Sequence, residues 1–350
     1  MRVLVAMSGG VDSSVAAALL VEAGHQVEGA TLKLWGGTSD AGCCSVADVE
    51  DARRVADQLA IAHHVFNFAS DFEDQVVNHY VAAHAAGNVP NPCIECNRHL
   101  KFDRLLVRAA KLGFSAVATG HHARSTRDRE TWHLRRGADR AKDQSYVLSM
   151  LGQQQLAHCM FPVGELTKSE VRDRARALGM CTAAKPDSQD TCFITATGGR
   201  SQFLAERMDL HPGRMVDATT GAVVGQVPAV EMVTVGQRRG LGSGPGGQRR
   251  YALAVDPTSA TVTVGQATDL LADRVELDRL TWVDRPVPWG VRLLAQSCAH
   301  GEPVPAVLGG TGAAGRVVLR LAEPHRRVAP GQTVALYDGD SVLGAGVALR

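Results

Sequence analysis

Arg2-Val3-Leu4-Val5-Ala6-Met7-Ser8-Gly9-Gly10-Val11-Asp12-Ser13-Ser14 is the stretch whose reading decides the fold of this 350-residue chain. Residues 2–7 form a short apolar run suited to a strand buried on both faces, and residues 13–23 form an Ala- and Leu-rich helical stretch closed by Gly24. A strand that passes through Ser8-Gly9-Gly10 into a helix aims backbone N–H groups and the positive end of the helix dipole at one point. Glycines admit phosphate oxygens, serine hydroxyls add donors, and Asp12 can position a magnesium ion. The loop has neither the Gly-Lys-Ser/Thr ending of a Walker loop nor the spacing of a dinucleotide fingerprint.

Outward from this loop the pattern repeats. Residues 27–34, 64–68 and 116–119 read as strands, and residues 46–60, 72–86 and 98–112 as helices, the last followed by Gly113. The alternation implies right-handed crossovers and a parallel sheet covered on both faces. Ligands on such sheets sit beyond the carboxyl ends of the strands, where residues 8–14 and Gly120-His121-His122 both fall. Residues 143–156 and 167–178 read as further helices, the second opening with the capping box Thr167-Lys168-Ser169-Glu170. From about residue 198 short Val- and Thr-rich runs take over, at 223–227, 232–235, 250–255 and 261–264, then 274–281, 291–295, 315–321, 333–337 and 341–348. The fold class expected is α/β: a Rossmann-like domain over residues 1–197, a small, mostly β central domain over 198–272 and a terminal β-barrel over 273–350.

Composition bounds the function. Lys and Arg total 37 against 36 Asp and Glu, which excludes a basic nucleic-acid coat protein or a disordered polyelectrolyte. No apolar run reaches the ~18 residues of a spanning helix, and Ser8 to Asp12 interrupt any signal-peptide core, so a cytoplasmic protein is expected. The charge is nonetheless uneven: residues 1–97 carry 4 Lys/Arg and 12 Asp/Glu, whereas residues 98–142 carry 12 Lys/Arg and 4 Asp/Glu. Such a local excess is either the footprint of a polyanion or a solvated helical face with a hairpin. Arg238, Arg239, Arg249 and Arg250 surround a further glycine-rich stretch, 240–247, which reads as a loop.

Eight cysteines in a chain of this type point to sulfur, redox or metal chemistry rather than structural disulfides. Cys93-Ile94-Glu95-Cys96 follows the stiff turn Val89-Pro90-Asn91-Pro92, and Cys192 stands in Lys185-Pro186-Asp187-Ser188-Gln189-Asp190-Thr191-Cys192-Phe193. The remaining cysteines read as small buried residues, with the adjacent pair Cys43-Cys44 unexplained.

The Ser-Gly-Gly-Val-Asp-Ser-Ser string resembles the pyrophosphatase loop of the N-type ATP pyrophosphatases, whose adenine-nucleotide α hydrolase-like fold and ATP-to-AMP activation it implies. Pro90-Asn91-Pro92-x-x-x-Cys96-Asn97-x-x-x-Lys101-Phe102, Ala118-Thr119-Gly120-His121, Lys142-Asp143-Gln144-Ser145-Tyr146, Asp187-Ser188-x-x-x-Cys192-Phe193-Ile194 and Val235-Gly236-Gln237-Arg238-x-Gly240-Leu241-Gly242 narrow this to a resemblance with the tRNA-specific 2-thiouridylases. The resemblance implies ATP with Mg2+ as reactants. Ala6, Met7, Ser8, Gly9, Gly10, Val11, Asp12 and Ser13 would surround the phosphates, Asp12 reaching the metal, and Leu32 and Gly120 would complete the nucleotide site. It implies Cys192 as the persulfide carrier and Cys96 as the nucleophile that attacks it, releasing sulfide or leaving a Cys96–Cys192 disulfide. Asn91, Pro92 and Cys93 would lie against the target base, and His121, Lys142, Asp143, Gln144 and Gln332 would touch tRNA. Partners implied are the Lys, Glu and Gln tRNAs and a sulfur-relay protein or cysteine desulfurase, acting on a monomer.

Cys93 stands where many members of that family have an aspartate. An iron-sulfur cluster on Cys93, Cys96 and Cys192 is therefore an alternative expectation. Two other functions compete: a small-molecule synthetase using the same loop, and a non-catalytic tRNA-binding protein.

Overall fold

The computed structural model describes residues 1–34, 45–187, 191–194, 199–311 and 316–349. Cys43-Cys44 and Ser188 to Asp190, singled out in the sequence, lie outside these residues. The first part of the chain contributes β1 (Arg2–Ala6), β2 (Gln26–Lys33), β3 (His63–Asn67), β4 (Ala116–Thr119), a hairpin of β5 (Ala123–Asp128) and β6 (Thr131–Arg136), and β7 (Cys159–Met160). All but the hairpin form a parallel sheet in the order β3-β2-β1-β4-β7. The order reverses direction at β1 and β4, so the crevice beyond Ala6 and Thr119 is where such a sheet binds a ligand.

The two-residue period of β1 separates two cores. Val3 and Val5 face a cluster with α1 (Val11–Glu22), α2 (Val46–Gln58) and α6, whose range is given below. Leu4 faces the other cluster, with Phe72, Tyr80 and Leu105. On that side lie α3 (Asn78–Ala85), α4 (Pro92–Cys96) and α5 (Leu105–Lys111). A stretch of wider π-helical turns, Asn97–Arg104, joins α4 to α5, so the helix expected at 98–112 begins earlier, at the turn set by Pro92. α6 (Lys168–Ala177) has the capping box read from its sequence: the Thr167 hydroxyl accepts from Glu170 N, and the Glu170 carboxylate accepts from Thr167 N.

The helix expected at 143–156 is absent. Only a 3-10 turn, Ser145–Leu148, and one helical turn, Gln153–Leu156, form there. Asp143 bonds the backbone and hydroxyl of Ser145, which competes with a helical ladder, and Gly152 begins the second turn in extended conformation.

The remaining chain is mostly β. A short helix, Gly199–Ala205, precedes β8 (Gly213–Asp217), β9 (Val223–Val227), β10 (Tyr251–Asp256) and β11 (Thr261–Gly265), which pair in the order β10-β11-β8-β9. The strand expected at 232–235 is instead the 3-10 turn Val230–Met232 and its exit. Six further strands follow: β12 (Leu271–Trp282), β13 (Arg292–Gln296), β14 (Val304–Thr311), β15 (Val317–Arg326), β16 (Thr333–Asp338) and β17 (Ser341–Ala348). The antiparallel order β12-β15-β14-β13-β16-β17 is closed by β12–β17 pairing, a barrel. Hairpin β5–β6 attaches to β17 through Arg135↔Ser341, so a piece of the first domain belongs to the barrel's sheet. Among the described residues no helix is long and apolar enough to cross a membrane.

Candidate functional site

The loop after β1 has the geometry its sequence requires. Gly10 caps α1 without a side-chain hydrogen bond. Ser13 Oγ accepts from Ser8 N at 3.2 Å and donates to the Gly10 carbonyl, to which Ser14 Oγ also donates at 2.8 Å. Gly9 adopts φ +70, and a Cβ there would collide with the Asp48 carbonyl of α2, so no other residue fits. The chain after β4 packs as closely: a Cβ on Gly120 would lie 2.5 Å from Ser13 N and 2.6 Å from the Asp12 carbonyl carbon. Gly120 and residues 8–13 therefore meet directly. Met7 and Val11 are buried beneath the loop, and Leu32 on β2 is buried in the cluster that contains Leu4.

His122, which the sequence placed at the carboxyl end of β4 without a role, and Lys168 complete the loop's electrostatics. Lys168 Nζ lies 2.7 Å from each Asp12 oxygen, and His122 Nε2 lies 3.2 Å from Oδ1. Burial works to raise the Asp12 carboxyl, but the hydrogen bonds from His122 and Lys168 and the lysine charge prevail and hold it below its ordinary value. Lys168 was visible only as the second residue of a capping box. Its partner is 156 residues away, and no local pattern reports that. Among the described residues no three or more His, Cys, Asp or Glu side chains group closely enough to hold a metal ion. Asp12 alone suits magnesium, which takes one or two carboxylates and fills its remaining positions with water and phosphate oxygens. Among the described residues Cys93, Cys96 and Cys192 form no such group.

The cysteines are arranged by α4. Asn91 Oδ1 accepts from Cys93 N at 3.0 Å, capping the helix, with Pro92 as its first residue. Cys93 is exposed, while Cys96, one turn on, is 7% exposed in the cluster of Leu4, Leu32 and Phe72. Half-buried Cys192 packs on this same cluster beside Phe193, whose ring meets Phe72 edge-on at 5.6 Å. Ala6, where the phosphate loop begins, packs there too. One apolar cluster thus includes the first residue of the loop and two cysteines from distant parts of the sequence. Cys159 is buried, and burial raises its thiol far above the reactive range.

The residues expected to face RNA divide into two sets. His121 is enclosed: Nδ1 is 2.7 Å from Thr119 Oγ1, and the ring packs against Phe102 and Phe161. Asp143 is 8% exposed, with its oxygens taken by Arg136 Nη1, Gly137 N, Ser145 N and Ser145 Oγ. These two side chains point into the protein. Gln144 Oε1 accepts from His122 N at 2.9 Å, and Gln332 Nε2 donates to the Val89 carbonyl at 2.8 Å, tying the barrel to the turn before α4. Lys142 is 41% exposed and pairs with Asp187 at 2.8 Å. Beside Asn91 a cleft of about 250 Å³ opens between Asn91 and Glu95 on one side and Arg279, Gly331 and Thr333 of the barrel on the other.

Protein-family models match the chain in three consecutive pieces. They are described as a tRNA methyl transferase HUP domain over residues 1–196, a tRNA methyl transferase PRC-barrel domain over 201–266 and an aminomethyltransferase beta-barrel domain over 272–348. The tRNA-specific 2-thiouridylase MnmA of Saccharopolyspora erythraea is 46% identical, with 99% of this chain and 98% of that one aligned. The protein of the same name from Thermobifida fusca is 47% identical, covering 99% and 94%. Among solved structures, the U34-tRNA thiolase NcsA from Methanococcus maripaludis with its [4Fe-4S] cluster is 17% identical, covers 59% of this chain and 65% of that one, and has a TM-score of 0.36, too slight a likeness to carry an argument.

Proposed function

The chain belongs to the tRNA-specific 2-thiouridylase family, and from that premise we propose that it is a tRNA-uridine 2-sulfurtransferase, replacing the C2 oxygen of the wobble uridine with sulfur at the expense of ATP. The observation that carries this reading is the apolar cluster that Cys96, Cys192 and Ala6, the first residue of the loop, share. A synthetase acting on small molecules uses the loop without either thiol. A methyl transferase, the wording attached to the family models, uses neither cysteine persulfide nor ATP cleavage.

The uracil C2 oxygen is a poor leaving group. In the proposed reaction it attacks the α-phosphorus of ATP, pyrophosphate leaves, and the C2–O bond is activated as an adenylate. Residues 6–13 and Gly120 would hold the phosphates, and Asp12, whose carboxylate Lys168 contacts, would share it with the magnesium that accompanies them. Cys192 carries a persulfide received from a sulfur-relay protein or a cysteine desulfurase. The Cys96 thiolate attacks the Cys192 sulfur, the Cys96–Cys192 bond forms, and the persulfide S–S bond breaks to release hydrosulfide. Hydrosulfide attacks C2, and AMP leaves. The two thiols supply the two electrons that reduce the sulfane sulfur.

The tRNA acceptors in this reading are those for Lys, Glu and Gln. Asn91, Pro92 and Cys93 face the extruded base, with Lys142 at the flanking phosphates. The domain division that goes with it is 1–197, 198–272 and 273–350, and the working unit is a monomer in the cytoplasm.

The test is mass spectrometry of nucleosides from tRNA incubated with protein, ATP, magnesium and a sulfur source. 2-Thiouridine is expected at the wobble position, and Cys96→Ser loses it when a persulfide supplies the sulfur. Pyrophosphate release without tRNA points instead to a small-molecule synthetase. Absence of any release leaves only tRNA binding.

A further inference from the structure

Between the phosphate loop and the stretch that leads to Cys192, ionic groups from separate parts of the chain meet at one carboxylate. Asp187 accepts from Lys168 Nζ at 2.8 Å, from Lys142 Nζ at 2.8 Å and from Arg172 Nη2 at 2.8 Å. Arg172 also donates to the carbonyls of Ala183 and Lys185 at 2.9 and 3.0 Å, gripping the chain that leads into Asp187. Lys185 is itself bound to Asp48 and Asp51 of α2, whose N-terminus abuts Gly9. The Asp187 side chain is 21% exposed and takes three charge-assisted hydrogen bonds, which are geometrically specific contacts. What they fix is position. Lys168 joins Asp187 to Asp12 of the loop, Lys142 joins it to the face expected to meet tRNA, and Cys192 follows five residues later.

We propose that Asp187 is a positioning residue for sulfur transfer, an anchor five residues before Cys192 that ties its end of the chain to the phosphate loop through Lys168. This rests on the thiolation reading and adds to it the residue that couples its two halves. The lysine end of the tether is independent of Asp187, because Lys168 binds both oxygens of Asp12. Loss of Asp187 therefore spares the loop and frees the cysteine side. The charge on Asp187 is also secure: burial works to raise its carboxyl, but hydrogen bonds and charge from Lys142 and Lys168 bring it down to about 2.

The experiment compares two sulfur sources in single-turnover thiolation of tRNA: protein loaded with persulfide on Cys192, and inorganic sulfide added to unloaded protein. Asp187→Asn is expected to slow the persulfide-fed reaction by about ten-fold or more, the scale of one charge-assisted contact, and the sulfide-fed reaction by less than about three-fold. Asp187→Glu, which keeps the charge, recovers most of the persulfide-fed rate. If Asp187→Asn does not fold, Arg172→Gln, which loosens the same carboxylate, is expected to show the same selective loss. Equal losses with the two sources, or no loss with either, overturn the proposal. Silence of the wild-type protein with both sources overturns the thiolation reading itself and the proposal with it, and is told apart because no substitution is involved.

Discussion

His121 and His122 are neighbours with opposite tasks. His122 reaches Asp12 and belongs to the phosphate loop, whereas His121 lies between Phe102 and Phe161 with Thr119 Oγ1 at its Nδ1. Burial, with the charges of Lys101 and His122, holds the His121 imidazole well below its ordinary value of 6.5. The sign of the pH effect follows. Below 6.5 the unfolded chain takes a proton on this residue that the folded protein refuses, so its contribution is fully present above 6.5 and declines as pH falls. The slope this adds below pH 6.5 is at most one proton, about 1.4 kcal/mol per pH unit. Urea unfolding at several pH values measures it. His121→Gln should flatten the slope by about one proton, and an unchanged slope would show that the imidazole titrates normally. Salt dependence of tRNA binding should not change with this variant, since its side chain does not reach the surface.

At the scale of elements, the contact between the end of β4 and the start of α1 sets the site. It works only because Gly120 has no side chain: a methyl group there meets Ser13 N and Asp12 at under 3 Å. Gly120→Ala must push the two segments apart. Overpacking of this kind costs about 1–3 kcal/mol, and the shift falls on the N–H groups that face the phosphates. Weaker ATP binding by calorimetry and a lower Tm are both expected; tight ATP binding by the alanine variant would mean that the loop moves without loss.

This contact also marks what was legible in the sequence. Residues 2–24 announce strand, phosphate turn and helix because each signal is local, and Val89 to Pro92 announce a stiff turn for the same reason. The helix expected at 143–156 misreads side chains that bond to the backbone, as Asp143 does with Ser145 N. Lys168 and Arg172 were readable as helix residues, but their carboxylate partners are brought from distant positions by the packing of α6 beside α1. The hairpin β5–β6 was foreseeable; its joining β17, some two hundred residues on, was not.

For the whole molecule, that joining is the main structural fact beyond the nucleotide domain. Arg136 sits at the seam: it donates to Asp143 at 2.9 Å and to Gln296 of β13 at 2.8 Å, and its guanidinium lies 3.7 Å from the centre of the Tyr337 ring on β16. Tyr146 adds hydrogen bonds to the Ser297 and Thr333 carbonyls of the barrel. The basic stretch 98–142 is therefore not all available to RNA, since Arg136 is buried and Arg124 and Arg135 are paired with Asp340. Lys142 and Asp143, adjacent in sequence, should then respond in opposite ways. Asp143→Ala leaves Arg136 buried without its carboxylate, a loss of about 3–5 kcal/mol, and is expected to lower the melting temperature and separate barrel from nucleotide domain as two calorimetric transitions. Its effect on tRNA affinity should not depend on salt. Lys142→Gln should leave melting almost unchanged but reduce the slope of log Kd against log salt by about 0.7–0.9, the release of one counterion. The reverse outcome, a salt-slope change in Asp143→Ala with unaltered melting, would place Asp143 at the RNA and not at the seam.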